Sequence, residues 1–192
     1  MSEPVKAADP CIFIRDVRVS YPKLFEPTQF EGKGDFSYSA VFHVEAGSEN
    51  DKAIRNEIKR VSEAKWPGKT AVIIPSIEGR TQTFCYVDGR LKDLDGGVWL
   101  LTAKRPAKEG RPKVIDRDRR ELLPEEGRPY AGAFVHAKLA FWAQDNSAGK
   151  GLRCTLVGVQ FSKDGESFGG APPASAEGFS ELAPEETISD LM

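Results

Sequence analysis

The sequence is poor in cysteine, histidine and methionine, with three Cys, two His and two Met among 192 residues. The cysteines, Cys11, Cys85 and Cys154, are odd in number and lack the spacing of a disulfide framework or a zinc site, which excludes a disulfide-stapled secreted domain. Uninterrupted apolar runs are only a few residues long, far short of the roughly 20 that cross a bilayer. The first ten residues also lack the basic start and apolar stretch of a signal peptide, so we expect an intracellular protein without membrane contact.

Catalytic signatures are missing as well. His43 and His136 fall in strand patterns without ligand-spaced neighbours, and neither a glycine-rich phosphate loop nor a GxSxG elbow occurs. The acidic cluster Asp88, Asp93 and Asp95 would suit Mg²⁺, but it lies in glycine-containing turns, where Asp is common for backbone reasons. We therefore expect a binding protein that is not an enzyme and uses no cofactor or metal. A weak Mg²⁺-dependent nuclease remains an alternative.

Charge is divided unequally along the chain. All 27 basic residues lie at or before Lys163, so residues 1–163 carry a net charge of +5, whereas residues 164–192 hold seven acidic residues and no basic one. A basic body with an acidic tail is typical of a polyanion-binding surface and a segment that competes for it. A solubilising tail on an ordinary domain is the alternative. Because the tail is rich in Gly, Pro, Ala and Ser, we expect it to be disordered.

The end of this tail, PEETISDLM (184–192), mixes acidic and apolar residues. Its apolar side chains would anchor on a protein partner while its carboxylates steer the approach, with a frayed terminus as the alternative. The partner-binding residues expected there are Glu185, Glu186, Ile188, Asp190, Leu191 and Met192.

The body of the chain, residues 11–163, follows a flexible N-terminus (1–10) and has the pattern of short strands separated by turns. A shift in apolar parity predicts a bulge near Asp16, and Pro22 and Pro27 predict a turn. The only helix expected covers about 49–66, with Ser48 as its N-cap. This content favours a mainly β fold built as a small barrel. Strands are predicted at 11–21, 36–44, 80–87, 97–104, 112–115, 131–143 and 150–161.

Two of these strands carry rings and cations on one face. In 131–143 the odd positions are apolar and should face inward, while the even positions form a face of aromatic and basic side chains. The even positions in 80–87 form a similar face. Flat rings stack on bases and cations hold phosphates, as single-stranded nucleic acid requires, although a second apolar core is the alternative for each ring. The even positions concerned are Arg80, Gln82, Phe84, Tyr86, Phe134, His136, Lys138 and Trp142.

The connection Lys104–Arg128 is the most basic part of the chain, with nine basic and six acidic residues. Its prolines and glycines indicate a long mobile loop, with a hairpin or an arm as the forms it could take. Long loops in compact domains are usually functional or disordered, so we expect phosphate contacts here, with a solvated charged loop as the alternative.

Five segments in order resemble the phage and prophage single-stranded DNA-binding proteins of the tailed enterobacterial phage type: RVSYPKLFEP, YVDGRLKD, GRPKVIDRD, RPYAGAFVHAKLAFW and GLRCTLVGVQFSKDGESFGG. The resemblance covers about residues 12–170. It implies an OB-fold, which is a five-stranded barrel, with a helix inserted between strands. It also implies sequence-independent binding of single-stranded DNA in phage replication or recombination, within the cytoplasm of the bacterial host.

The residues and the resemblance together predict a groove that binds DNA. The acidic tail should occupy this groove until DNA binds and then contact a polymerase or helicase. A virion or scaffold protein that binds no nucleic acid is the alternative. Exposed strand edges leave self-association open. The rings expected to stack on bases are Phe84, Tyr86 and Trp142. The cations expected to meet phosphates are Arg80, Arg90, Lys104, Arg105, Arg111, Lys113 and Lys138.

Overall fold

A computed structural model describes residues 10–169, which form a single seven-stranded sheet and two helices. The strands are β1 Cys11–Phe30, β2 Lys33–Glu45, β3 Tyr86–Asp88, β4 Val98–Pro106, β5 Lys113–Ile115, β6 Phe134–Asn146 and β7 Gly149–Lys163; the helices are α1 Glu49–Lys65 and α2 Thr70–Ile77. The sheet order is β3-β4-β2-β1-β6-β7-β5, and a further pairing of β4 with β7 closes β1, β2, β4, β6 and β7 into a barrel. The small barrel that the sequence predicts is thereby confirmed, with the five strands that the resemblance implies.

Closure of the barrel depends on a narrow seam between β4 and β7. The two strands share one parallel pair, Lys104 opposite Thr155. The segment just before β3 completes the seam, because Cys85 N–H donates to Leu152 O (3.0 Å) and Thr102 N–H donates to Cys85 O (2.8 Å). We call these contacts the β4–β7 seam.

Alternating side chains fill the barrel. Val135, Ala137, Leu139 and Phe141 of β6 are all at most 4% exposed, which confirms the predicted inward face. Helix α1 packs its apolar stripe, including Ile54, against one end of this core. The strands therefore turn their other faces outward, where a ligand can reach them.

The predicted bulge at Asp16 is confirmed. Asp16 has φ 50°, and the β1–β6 register shifts between Ile14 and Val17. Its N–H donates to Nδ1 of His136 (3.0 Å), and Ser162 Oγ donates to its carboxylate (2.6 Å). The Ser162 hydrogen bond is the main cause that lowers the pKa of Asp16. His136 therefore has a structural partner on β1.

The predicted turn between Pro22 and Pro27 is wrong, because β1 continues to Phe30. A second bulge accommodates the first proline: the β1–β2 register shifts between Ser20 and Lys23, and Tyr21 has φ 48°. Proline has no N–H to donate, and a bulge leaves such a residue outside the ladder.

Helix α1 begins after Ser48, whose Oγ accepts from Asp51 N–H (3.2 Å), as the sequence predicts. A single helix was expected, but a second one, α2, follows it. Pro75 inside α2 makes this segment a poor helix by propensity. Burial outweighs that penalty, since Ile73 and Ile77 are 9% and 5% exposed and both lie in the core. Neither helix of the described residues 10–169 is long and apolar enough to span a membrane.

The predicted strand 80–87 is also wrong over most of its length. Phe84 N–H donates to Arg80 O (2.8 Å), which closes a turn, and only Tyr86–Asp88 is a strand. The parity argument for this segment therefore fails, and Phe84 and Tyr86 lie in the core at 4% and 1% exposure.

Candidate nucleic-acid interface

A row of outward-facing polar side chains crosses four barrel strands. Lys23 of β1 lies opposite Ser39 of β2, Ser39 lies opposite Lys104 of β4, and Lys104 lies opposite Thr155 of β7. The neighbours of Ser39 and Lys104 in sequence, Ala40 and Ala103, are fully buried, so the row itself faces out. We call Lys23, Ser39, Lys104 and Thr155 the outer row. Both lysines are exposed and neither has an ion-pair partner among residues 10–169.

Trp142 extends the outer row onto β6. Its indole Nε1 donates to Thr155 Oγ1 (3.1 Å), and the residue is 45% exposed. The hydrogen bond fixes one edge of the indole while leaving ring surface open to solvent. A tryptophan held in this way is a suitable stacking surface for an unpaired base, beside cations that suit its phosphates.

Tyr21 lies at the other end of the same surface. It sits in the bulge between Ser20 and Lys23 and is 75% exposed. The strand predicted from the sequence ends at this residue, and Tyr21 is not among the predicted site residues. The signal that could have found it is Tyr21-Pro22 inside a strand pattern, since proline in a barrel strand calls for a bulge and a bulge turns a side chain outward.

The start of the acidic tail is strapped across β1 and β2. The Phe168 ring stacks on His43 with centroids 4.8 Å apart, and the Arg18 guanidinium lies 4.0 Å from its centroid. Phe168 N–H donates to Ala131 O (3.1 Å), and Arg18 donates to the backbone oxygen of Glu166. We call Asp164–Phe168 the strap.

Two further sets of contacts hold the strap in a defined position on the barrel. Gly132 has φ 106°, and a Cβ at this position would collide with the backbone of Glu166, so the close approach requires glycine. Tyr130 Oη donates to the Asp164 carboxylate (3.0 Å), and Arg128 pairs with the same carboxylate (2.9 Å). The strap is therefore held against the outer side of β1 and β2 by contacts of its own.

The surroundings of His43 favour its neutral form. Burial, together with the charge of Arg18, lowers the pKa of His43 below its ordinary value. Its Nε2 is 3.0 Å from Ser20 Oγ, a hydrogen bond on the outer side of β1 and β2. This hydrogen bond helps to fix the imidazole on which the Phe168 ring stacks.

The structure separates the predicted site residues. Lys104 and Trp142 belong to the surface just described, and Lys138 lies on β6 with its Nζ 5.7 Å from the Phe13 ring centroid. Phe84 and Tyr86 are corrected, because burial leaves their rings no open surface, and the Tyr86 hydroxyl instead donates to Asp51 (2.7 Å).

Most of the predicted arginines already have protein partners. Arg90 pairs with Asp88 (2.6 Å), Arg80 donates to Ser76 O (2.5 Å), and Arg105 donates to Gly110 O (2.8 Å). The carboxylate of Asp88 neutralises the charge of Arg90, so Arg90 contributes less to phosphate binding than a free cation, whereas Arg80 and Arg105 donate to neutral carbonyls and keep their charge.

The Lys104–Arg128 connection is held by ion pairs of its own. Glu121 accepts from both Arg111 (2.5 Å) and Lys113 (3.3 Å), while Arg120 pairs with Asp116 (3.0 Å) and Glu126 (2.7 Å). The expected long mobile loop is therefore corrected to a connection that contains β5 and two 3₁₀ turns.

No group of three or more His, Cys, Asp or Glu side chains within residues 10–169 is arranged to hold a metal ion. Asp88, one of the three acidic residues considered for Mg²⁺, already accepts hydrogen bonds from the Arg90 side chain and from Arg90 N–H, as the N-cap of a 3₁₀ turn. The predicted tail contacts, Glu185 to Met192, lie outside the described residues.

Comparison with known proteins agrees with this barrel. Residues 11–190 match the family described as "Enterobacter phage Enc34, ssDNA-binding protein". The chain belongs to the Enc34 single-stranded DNA-binding protein family. One relative, "Putative protein p50" of Acyrthosiphon pisum secondary endosymbiont phage 1, is 40% identical to this chain over 176 residues, which cover 90% of this chain and 94% of that protein.

Solved structures show the same fold. The single-stranded DNA-binding protein from bacteriophage Enc34 in complex with ssDNA is similar with a TM-score of 0.68 and 27% identity, over 83% of this chain and 89% of that chain. The single-stranded DNA-binding protein gp2.5 of bacteriophage T7 has a TM-score of 0.60 and 14% identity, over 91% of this chain and all of that one. The predicted family and the OB-fold barrel are thereby confirmed.

Proposed function

We propose that this Enc34-family protein binds single-stranded DNA, without sequence preference, on the outer surface formed by the outer row and Trp142. The observation that carries the proposal is the outer row itself, in which Lys23 of β1 and Lys104 of β4 lie on either side of Ser39 of β2 and have no ion-pair partner within residues 10–169. Ammonium groups at this spacing can neutralise successive phosphates, and the hydroxyls of Ser39 and Thr155 between and beside them can donate to phosphate oxygens. The indole of Trp142 stacks on any base, because every base has a π-face.

Lys138 and the arginines of the Lys104–Arg128 connection form a second, weaker group of proposed phosphate contacts. Lys138 is exposed and lies on the strand that carries Trp142. Arg111 and Lys113 share Glu121, so their net contribution is smaller than that of the outer row. We expect their removal to lower affinity less than removal of Lys23 or Lys104.

The acidic tail, in this proposal, competes with DNA for the same surface. The strap supports this, because it begins the tail on the outer side of β1 and β2, where Phe168 stacks on His43. A tail with no basic residues that starts on the outer side of β1 and β2, the strands that carry Lys23 and Ser39, can reach the lysines when DNA is absent. DNA binding then frees the terminal Glu185–Met192 segment for a replication protein such as a polymerase or helicase, in phage replication or recombination in the host cytoplasm.

The first test is a fluorescence titration of the protein with labelled oligo-dT at several salt concentrations, with duplex DNA as competitor. Tight binding that weakens with salt and resists duplex competition supports the proposal. Absence of binding at low salt, for both the full chain and a chain ending at residue 169, contradicts the proposal and favours the virion or scaffold role instead. A nuclease would instead shorten the oligonucleotide in a Mg²⁺-dependent manner.

The tail is tested with two matched variants. Deletion of residues 170–192 removes the tail and leaves the strap, and it should tighten binding. Replacing Ile188, Leu191 and Met192 by alanine keeps every charge, so it should leave DNA affinity unchanged while weakening capture of a replication partner. Equal affinity of the deletion variant and the full chain would rule out competition without touching DNA binding.

A further inference from the structure

Tyr21 combines an unfavourable backbone with a side chain that does nothing for the fold. Its φ of 48° lies in the left-handed region, which is rare for a bulky residue. Pro22 follows it, and the ring of a proline disfavours helical conformations of the preceding residue and pushes it toward extended ones. Such a residue costs folding free energy and persists only because the surrounding strands hold it.

The side chain gives little stability in return. Tyr21 is 75% exposed, and its hydroxyl has no hydrogen-bond partner among residues 10–169. The bulge needs an extra residue between Ser20 and Lys23, but it does not need a ring there. Asn or Gly would adopt the same backbone more easily, since both tolerate positive φ. Strain with no structural return points to a function.

The surroundings indicate what that function is. The bulge places Tyr21 two residues before Lys23, the first lysine of the outer row, on the exposed side of β1. At the far end of the row, Trp142 is held by Thr155. A flat ring therefore lies at each end of a line of cations and hydroxyls, and the order ring, cation, cation, ring matches the alternation of bases and phosphates in a single strand.

We propose that Tyr21 is a base-stacking residue of the DNA-binding surface, presented by a strained bulge that lowers stability in favour of binding. This inference rests on the proposed function. The ligand is one unpaired base of a single strand whose phosphates lie on Lys23 and Lys104. The strain fixes where the ring lies before DNA arrives, so less conformational entropy is lost when the base stacks.

The test separates binding from stability with three variants. Tyr21→Asn keeps a residue that accepts positive φ but removes the ring, Tyr21→Phe keeps the ring, and Leu91→Asn removes an exposed apolar side chain (55% exposed) from the 3₁₀ turn after β3. Affinity for oligo-dT and thermal unfolding are measured for each. Loss of one stacked base corresponds to roughly a 5- to 150-fold weaker Kd.

The expected result is that one variant loses DNA affinity without losing thermal stability. Tyr21→Asn should bind oligo-dT about 5-fold more weakly or worse, yet unfold at the same or a higher temperature than wild type. Tyr21→Phe and Leu91→Asn should bind like wild type. If wild type binds and Tyr21→Asn binds equally well, or if Tyr21→Asn lowers the unfolding temperature by several degrees, the Tyr21 proposal is overturned. If wild type itself does not bind, the proposed function fails first.

Discussion

The indole of Trp142 and the hydroxyl of Thr155 are joined by a hydrogen bond of 3.1 Å across β6 and β7. Thr155 is also the residue that lies opposite Lys104 at the β4–β7 seam. The ring, the hydroxyl and the ammonium group are thus linked through neighbouring strands, and their relative positions are set by the barrel rather than by a loop.

Trp142 should therefore report DNA binding directly. Trp66 is 4% exposed and bonded to Asp145, and Trp99 packs beside Tyr86, so Trp142 is the exposed indole of the three. Trp142→Phe should abolish most of the tryptophan quenching by oligo-dT, and Trp142→Ala should cost about 1–3 kcal/mol of binding free energy. Thr155→Val should cost less, since it frees the ring without removing it. Undiminished quenching in Trp142→Phe would exclude stacking at this residue.

The outer-row lysines should set the salt dependence. For single strands, each neutralised phosphate contributes about 0.7 to the slope of log K against log salt. Lys23→Gln and Lys104→Gln should each lower the slope by roughly that amount, and the double variant by the sum. Lys92→Gln, in the exposed 3₁₀ turn after β3, is the charge-matched control and should leave the slope unchanged. Equal slopes in all four proteins would exclude the row as the phosphate path.

Phe168→Ala should act in the same direction as tail deletion. Removing the ring takes away its contacts with His43 and Arg18, so the strap is held less firmly and the tail competes less well. Affinity for oligo-dT should rise. Combined with deletion of residues 170–192, the effects should be less than additive, because both changes weaken one competitor. A fall in affinity for Phe168→Ala would instead make the ring a DNA contact.

Tyr86→Phe should destabilise the protein and change its acid sensitivity. Burial opposes ionisation of Asp51, but hydrogen bonds from Gly47 N–H and Tyr86, and then the Arg55 charge, outweigh it and lower its pKa. The stability from Asp51 is therefore present at neutral pH and lost as pH falls through its lowered pKa. Removing the hydroxyl should cost about 1.5–3 kcal/mol at pH 7 and less at pH 3, by urea unfolding. An equal cost at both pH values would contradict the linkage to Asp51.

The three thiols should differ sharply in reactivity. Burial raises the pKa of Cys85 to about 12 and that of Cys154 well above its ordinary value, whereas Cys11 is partly exposed. Since the thiolate is the reactive form, Ellman's reagent at pH 8 should titrate Cys11 in the folded protein and all three thiols in urea. Rapid reaction of Cys85 under native conditions would mean that the β4–β7 seam opens readily, because Cys85 lies in it.

Sequence patterns predicted the barrel well where local and tertiary preferences agree. The inward residues of β6, the cap at Ser48 and the bulge at Asp16 all follow from alternation or from a single polar residue placed before a helix. The patterns failed where packing overrides propensity: α2 contains Pro75, yet Ile73 and Ile77 pull it into the core.

The site was harder to predict because its residues meet only through strand register. Lys104 and Trp142 were expected, but Lys23, Thr155 and the Phe168–His43 stack depend on which strands lie side by side, and parity within one segment carries no such information. Phe84 and Tyr86 failed for a related reason. Their segment is mostly a turn, so the alternation that seemed to turn them outward was accidental.

The β4–β7 seam is the least extensively paired join in the barrel, since one residue pair and the two backbone hydrogen bonds of Cys85 close it. Lys104 and Thr155 lie on the two sides of the seam, so a ligand that contacts both residues bridges it. Binding there and closure of the barrel are then thermodynamically linked: a bound strand raises the free energy of opening, and a barrel that opens releases its strand. Under the proposed function, DNA binding and closure of the barrel therefore involve the same two residues.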